Sequence, residues 1–180
     1  MNSFHSKLIP FKDVDLQVNL EAGLQLIGSN LKVNFKLSGE VEEIALPKKE
    51  ASGRRVIGLW ESTCFELFIL NNETHSYYEF NFSPEGHWNA FFFPKKKAPL
   101  KEAISFKDIQ SNQTHSKNEF SLDASIDMYS MQPAFWQEEN MSVALTGVLE
   151  SKIGLSYWAI DHLDKKPNFH NFDTFKRLNS

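Results

Sequence analysis

The sequence of 180 residues contains a single cysteine, Cys64, and no surplus of basic residues. One thiol cannot form an intramolecular disulfide, and it excludes a zinc site built from several cysteines. There are 19 basic residues against 23 acidic ones, which gives a net charge of -4. Such a chain lacks the positive charge that neutralises nucleic-acid phosphates. We therefore expect a reducing compartment and no nucleic-acid partner.

Long apolar runs are also missing. The amino-terminal stretch Met1–Phe11 has no apolar core of the length that a signal peptide needs. No segment approaches the roughly 18 consecutive apolar residues of a membrane-spanning helix. These absences predict a cytoplasmic protein without a membrane partner, although a secreted chain that has lost its signal would have the same sequence. The oligomeric state is left open.

Aromatic residues are abundant, at 13% of the chain with 16 phenylalanines, while glycines number 8. Aromatic side chains favour β-strands, where rings pack across a pleated face. The length suits one domain of ordinary size, and no linker or internal repeat divides it. We therefore treat residues 1–180 as a single domain that leans towards β structure.

Alternation of apolar and polar residues with a period of two recurs along the chain, as in half-buried strands. A pattern of many short strands separated by turns is typical of an antiparallel β-sandwich of the jelly-roll kind. The sequence therefore predicts an all-β fold of that architecture. The predicted strands are Val14–Leu20, Leu31–Leu37, Cys64–Leu70, Tyr77–Phe82, Trp88–Phe93, Ile104–Ile109, Phe120–Ile126, Val143–Leu149 and Leu155–Ile160.

The common sequence signatures of enzymes are absent. The chain has no Gly-x-Ser-x-Gly elbow, no His-Glu-x-x-His helix, no phosphate-binding glycine loop and no dinucleotide fingerprint. We therefore expect a binding protein and not an enzyme.

The region from Gly58 to Phe93 carries the most informative polar residues. A hairpin about Asn72–His75 places Glu66 beside Asn81, and Phe68 beside Glu79, on one face of the sheet. The next turn is expected to bring Trp88 onto that face, beside Ser83. Carboxylates, an amide and aromatic rings together suit a sugar, which has an apolar ring face and a rim of hydroxyls.

Each of these residues also has a purely structural interpretation. Glu66 could be a buried acid that is satisfied by Arg54, Arg55 or a backbone amide. Trp88 could belong to the core. The lysines Lys95–Lys97 are interpreted as solvated surface.

The carboxyl-terminal part of the chain supplies Trp158, His162 and His170. Together with Asp161, the two histidines could form a two-His, one-carboxylate metal set. Histidines held by backbone carbonyls are the commoner arrangement, so we predict no metal. At the other end of the candidate region, Trp60 precedes a predicted central strand, where a tryptophan can project from the rim of a sandwich or equally well pack in the core.

Three segments in this order resemble bacterial DOMON-like proteins, whose superfamily includes the family-nine carbohydrate-binding modules. They are Trp60–Ile69, Tyr78–Trp88 and Leu155–His162, the last followed by Lys166–His170. The resemblance implies a β-sandwich that binds sugars or haem. It implies that Trp60 stacks on the sugar ring and that Glu66 lies near the sugar hydroxyls. It also implies that Trp158 corresponds to the tryptophan of the family's terminal strand, and His170 to the histidine of the Phe-His pair that follows this strand.

The haem branch of this superfamily uses methionine with histidine or lysine as axial ligands. Met128, Met131 or Met141 could pair with His162 or His170, but there is no Cys-x-x-Cys-His attachment motif. Haem is therefore the alternative cofactor. A third possibility is a glycosidase-like enzyme, for which Glu66 and Glu79 are the only obvious pair of carboxylates, and a fourth is a protein-interaction domain without a small ligand.

The sequence as a whole predicts a non-catalytic domain that binds a small ligand, a saccharide or sugar derivative, without a cofactor. The predicted binding residues are Trp60, Glu66, Glu79, Asn81, Trp88, Trp158, His162 and His170.

Overall fold

The computed structural model describes residues 3–178, except for the side chain of residue 138. The described chain consists of strands joined by turns and six 3-10 helices of three residues each. Within this range no helix is long or apolar enough to cross a bilayer. The strands are β1 Ser3–Pro10, β2 Val18–Ile27, β3 Asn30–Gly39, β4 Cys64–Asn71, β5 Tyr77–Phe82, β6 Trp88–Phe93, β7 Ser111–His115, β8 Glu119–Asp127, β9 Met141–Ser151, β10 Gly154–Ala159 and β11 Lys176–Arg177.

The strands pair in the order β6-β5-β4-β9-β10-β1-β2-β3-β8-β7, and β11 adds to β9. All of these strand pairings are antiparallel. The sheet curls so that β6-β5-β4-β9-β10 packs over β1-β2-β3-β8-β7, and a short pairing of β1 with β10 joins the two layers. The predicted antiparallel β-sandwich is confirmed.

The main core lies between the two layers because alternate residues of each strand point inward. In β4 these are Phe65, Leu67 and Ile69, and all of them are fully buried. Phe65 meets Phe35 of β3 and Phe120 of β8, with ring centroids 5.3 and 5.7 Å apart. These contacts tie the layers together across the middle of the sandwich.

The outer face of the β6-β5-β4-β9 layer is also covered. Residues Phe68, Tyr77, Phe91 and Phe93 point away from the main core and form a second apolar cluster. The carboxyl-terminal segment packs onto this cluster through Phe169, Phe172 and Phe175. Every residue of β4 and β5 is buried, because the main core covers one face of these strands and the second cluster covers the other.

The strand predictions fail at the edges of the sheet. Ile104–Ile109 forms no strand, since Phe106 and Ile109 pack on the core from irregular backbone. Conversely, the polar strand β7 lies outside the strands predicted from the sequence. The polar strand β1 went unrecognised because, of its residues, only Leu8 is buried. The sequence predicts a strand over Val14–Leu20, whereas the corresponding strand β2 begins only at Val18. Val14 and Leu16 therefore lie before it.

Candidate functional site

A cavity with a volume of about 590 Å³ opens on the outer face of the β6-β5-β4-β9 layer. Outward residues of β4 and β5 line its floor, because their inward neighbours fill the main core. Trp60, on the 3-10 helix Leu59–Glu61, lines it as well. The loop at 96–100 and the segment at 167–170 complete the wall.

The floor carries two acidic residues, Glu66 and Glu79. The strand register pairs Glu66 with Asn81 and Phe68 with Glu79, which confirms the predicted pairing. The two glutamates are therefore diagonal neighbours on one face. Both line the cavity although they are only 3% and 5% exposed, so their accessible surface faces this space.

Glu66 has one hydrogen-bond partner in the described chain. The Thr146 hydroxyl donates to Oε2 at 3.0 Å, while Oε1 has no protein partner within residues 3–178. Burial, followed by repulsion from Glu79, raises the pKa of Glu66 above the ordinary carboxyl range. A raised pKa favours the neutral acid, which can both donate and accept a hydrogen bond.

The interpretation of Glu66 as a buried acid that is satisfied by Arg54 or Arg55 is wrong. Arg54 instead binds Glu50 at 3.2 Å. Arg55 donates to the side-chain oxygen of Asn89 at 2.8 Å and lies 4.3 Å from the ring centroid of Trp88. Because both arginines bind elsewhere, Glu66 is left to face the cavity.

Glu79 belongs to a chain of polar contacts along the cavity wall. The Asn81 amide donates to Glu79 Oε1 at 2.9 Å, and His170 Nε2 lies 3.9 Å from Oε2. His170 Nδ1 in turn lies 2.9 Å from the Tyr77 hydroxyl. Burial is the main reason that the pKa of Glu79 is raised, and the hydrogen bond from Asn81 opposes it.

The protonation states of His170 and Tyr77 follow from their surroundings. Burial, followed by the charge of Lys96, lowers the pKa of His170. Burial and the charge of Glu79 raise the pKa of Tyr77. A neutral imidazole beside a protonated phenol assigns the donor role to Tyr77 and the acceptor role to Nδ1. The remaining N–H of His170 then faces Glu79.

Several aromatic side chains line the cavity. Tyr77 stacks on Phe93 with centroids 4.5 Å apart, and Trp60 meets Phe91 edge-on at 5.8 Å. Such rings offer flat apolar surfaces beside the polar floor. The six rings that line the cavity belong to Trp60, Phe68, Tyr77, Phe93, Tyr157 and Phe169.

The structure brings together half of the predicted site residues. Trp60, Glu66, Glu79 and His170 line one cavity. Asn81 lies behind this group, fully buried, and holds Glu79 through its amide. The sequence prediction did not include Tyr77, Phe93, Tyr157 or Phe169, nor Lys96 and Lys97. Sequence alternation could have identified Tyr77 as a site residue, because it lies two positions before Glu79 on β5 and therefore points to the same face.

The expectation that Trp88 joins this face is wrong. The turn after β5 pairs Phe82 with Trp88, so Asn89 takes the place opposite Asn81. Trp88 therefore points into the main core, since a shift of one residue reverses the face.

Trp158 and His162 also lie away from the cavity. The Trp158 indole is buried in the main core and donates to Ser156 Oγ at 2.9 Å. His162 Nε2 lies 2.9 Å from the carbonyl oxygen of Ile9, and its ring meets Phe11 edge-on. Both side chains serve the packing near the junction of β1 and β10.

The residues considered for haem and metal binding are also separated. Met128, Met131 and Met141 are buried in the main core, on the opposite side of the sheet from His170. No group of three or more histidine, cysteine or acidic side chains within residues 3–178 is arranged to hold a metal ion.

Comparisons with known proteins give similarity of structure without similarity of sequence. No protein family and no curated protein matches the sequence. A candidate carbohydrate-binding protein from Bacteroides uniformis superposes with a TM-score of 0.65 at 15% identity, over 96% of this chain and 84% of that one. This similarity shows a shared fold.

Two further solved structures are carbohydrate-binding modules of family 9 from Caldicellulosiruptor kristjanssonii. The complex with glucose has a TM-score of 0.48 at 9% identity, over 92% of this chain and 75% of that one. The complex with cellotriose has a TM-score of 0.49 at 8% identity, over 96% and 78%.

Proposed function

We propose that this chain is a binding domain that takes a saccharide or sugar derivative into the cavity on its outer sheet face. The observation that carries the proposal is the meeting, in one cavity of about 590 Å³, of six aromatic rings with two buried carboxyl groups. Apolar walls with a few convergent polar groups are typical of small-molecule sites. A sugar has an apolar ring face that matches the aromatic walls and a rim of hydroxyls that matches the carboxyl groups.

Aromatic stacking supplies most of the affinity in this proposal. Trp60 is half-buried and stands at the cavity wall, where one face of its indole can cover a pyranose ring. Tyr77 and Phe93 stack on each other and are almost fully buried, so their side chains lose little entropy on binding. The C–H groups of the sugar replace water at the exposed part of the Trp60 ring.

Hydrogen bonding at the floor orients the sugar. Glu66 and Glu79 both line the cavity, and a carboxyl oxygen of each can accept from a hydroxyl. A protonated carboxyl can also donate to a hydroxyl oxygen. Buried polar groups of this kind discriminate strongly, because an analogue without the matching hydroxyl leaves them unpaired.

The proposed activity is recognition without bond cleavage. Glycoside hydrolysis requires two carboxyl groups that flank the scissile bond, one as an acid and the other ionised. Glu66 and Glu79 lie on adjacent strands of the same floor, and burial raises the pKa of both. This arrangement favours binding to one side of a sugar. Incubation with hits from a glycan array is expected to release no reducing ends.

The fold similarity to the Bacteroides uniformis protein supports this proposal, since that protein is described as a candidate carbohydrate-binding protein. The similarity extends over nearly the whole of this chain. It is consistent with a ligand site on the same scaffold.

The test combines a glycan array with calorimetric titration of the array hits. Replacing Trp60 by alanine is expected to weaken saccharide binding by roughly 1 to 3 kcal/mol without unfolding the protein, because stacking area is lost from an edge position. Trp136→Ala is the matched control, since Trp136 is 44% exposed and lies outside the cavity. Unchanged affinity in the Trp60 variant, or an array without any hit, would contradict the proposal.

A further inference from the structure

The mouth of the cavity carries two lysines, Lys96 and Lys97. Both side chains are exposed, as is usual for lysine. The Lys96 ammonium lies 5.2 Å from the ring centroid of Phe172, which belongs to the apolar cluster beside the cavity. This cation–π contact holds Lys96 against the protein surface.

The charge of Lys96 acts inside the cavity. It contributes to the lowered pKa of His170, whose ring lies between Tyr77 and Glu79. An ion pair with a neighbouring carboxylate would have cancelled much of this field. Among the residues that the structure describes, neither Lys96 nor Lys97 has a carboxylate within ion-pair distance.

The acidic groups of the cavity lie at the other end. Glu66 and Glu79 are buried in the floor, and their environment favours the uncharged acid over the carboxylate. Burial therefore disfavours negative charge at the polar floor of the cavity, whereas its mouth carries two lysines. A neutral sugar would satisfy the floor and leave the two ammonium groups of the mouth unused.

We propose that the saccharide bound in this cavity carries an anionic group, a carboxylate or a phosphate, which lies against Lys96 and Lys97 while its hydroxyls meet Glu66 and Glu79. This inference rests on the proposed function and narrows it to acidic sugars. Charge-assisted hydrogen bonds from lysine to such a group are stronger than bonds between neutral partners. Charged groups at a rim also steer an anionic ligand towards the cavity.

The test uses a glycan array that carries neutral, hexuronate-containing and phosphorylated saccharides. Binding is expected to concentrate on the acidic glycans, and the hexuronate and phosphate arms identify which anion is preferred. Titrations then use the trimer of β-1,4-linked glucuronate against cellotriose, and glucose 6-phosphate against glucose. In each pair the two sugars differ mainly in the anionic group.

The double variant K96A/K97A is expected to lose about tenfold in affinity for the acidic member of the preferred pair. Its matched control is K95A/K101A, which removes the same net charge from two lysines that do not line the cavity. The control is expected to keep its affinity. Raising the salt concentration should weaken binding of the acidic sugar to the wild type more than to K96A/K97A.

The outcomes separate this inference from the proposed function. Hits confined to neutral glycans would overturn the anionic ligand and leave saccharide binding intact. Equal losses in K96A/K97A and K95A/K101A would overturn the role of the cavity mouth. An array without any hit would contradict both proposals.

Discussion

At the scale of single residues, Glu66 and Glu79 are the least expected feature of the floor. Two acids that are almost fully buried reduce stability, because within residues 3–178 neither has a cation at hydrogen-bonding distance. Thr146 and Asn81 compensate for part of this cost with one hydrogen bond each. Groups with perturbed pKa values in a cavity are typical of functional sites.

The raised pKa values predict how stability depends on pH. The folded state holds protons on Glu66 and Glu79 that the unfolded chain releases near pH 4.5, so the folded protein binds more protons above that pH. The free energy of unfolding is therefore expected to fall as pH rises from about 4.5 towards 8, by roughly 2 kcal/mol or more. Urea unfolding at a series of pH values measures this slope.

The variant E66Q/E79Q removes both titrating acids at nearly constant volume. Its free energy of unfolding should no longer fall over this pH range. His170 contributes with the opposite sign, because its lowered pKa makes the folded state release a proton that the unfolded chain still holds below about pH 6.5. If the free energy of unfolding depends on pH equally in the wild type and in E66Q/E79Q, the dependence does not come from Glu66 and Glu79.

At the scale of the elements, the hairpin of β4 and β5 decides which residues form the floor. Its register follows from strict alternation, since Phe65, Leu67 and Ile69 must face the core. Glu66 and Phe68 are then forced outward. For this hairpin the sequence pattern was sufficient, because the inward positions are continuously apolar.

The next hairpin shows where pattern reading fails. Trp88, Ala90 and Phe92 alternate with Asn89, Phe91 and Phe93, so both faces of β6 carry apolar residues. The alternation cannot then select the inward face. The loop 83–87 selects it, by pairing Phe82 with Trp88 and closing with a hydrogen bond from Ser83 N to the His87 carbonyl.

Gly39 at the end of β3 is expected to be intolerant of a side chain. Its φ is +108°, and a Cβ at this position would collide with the carbonyl oxygen of Gln17. Gly39→Ala should therefore reduce the free energy of unfolding by roughly 2 to 4 kcal/mol, through backbone strain and displacement of the β2–β3 pair. Urea unfolding at fixed pH measures the loss.

Gly28→Ala is the matched control for this substitution. Gly28 also has a positive φ, +60°, but nothing lies within 4 Å of the added Cβ. Alanine can adopt this left-handed conformation at a cost of roughly 1 kcal/mol. Equal losses in the two variants would show that the collision with Gln17 does not matter.

At the scale of the whole molecule, the cavity lies outside the main core. The sandwich interior is filled by side chains of both layers, while the cavity forms between the outer sheet face and the segments that cover it. Residues of the covering segments contribute to the site without holding the two layers together. The residues that line the cavity are therefore largely different from those that form the main core.

This separation predicts where a bound saccharide protects the backbone. The segments at 96–100 and 167–170 line the cavity and have no strand hydrogen bonds, so their amides should exchange rapidly in the free protein. A saturating array hit is expected to slow their exchange. Hydrogen exchange with mass spectrometry, sampled within the first minutes, measures the change.

Strands β3 and β8 serve as the internal control, because they belong to the opposite layer. At these short exchange times their amides should be unaffected by the ligand. Protection confined to β3 and β8 would place the bound sugar on the other layer and contradict the proposed site.

The sequence by itself determined the β-sandwich, most of the inner strands and the neighbouring acids of β4 and β5. Local alternation encodes these features, since burial on a pleated strand repeats every second residue. It could not determine which distant segment covers the outer face. Only the tertiary structure placed Tyr157, Phe169 and the two lysines at the cavity, because those contacts join residues far apart in the chain. The tertiary structure also decided that Trp88 points into the core, because the geometry of the preceding turn is not encoded in the alternation of apolar and polar residues.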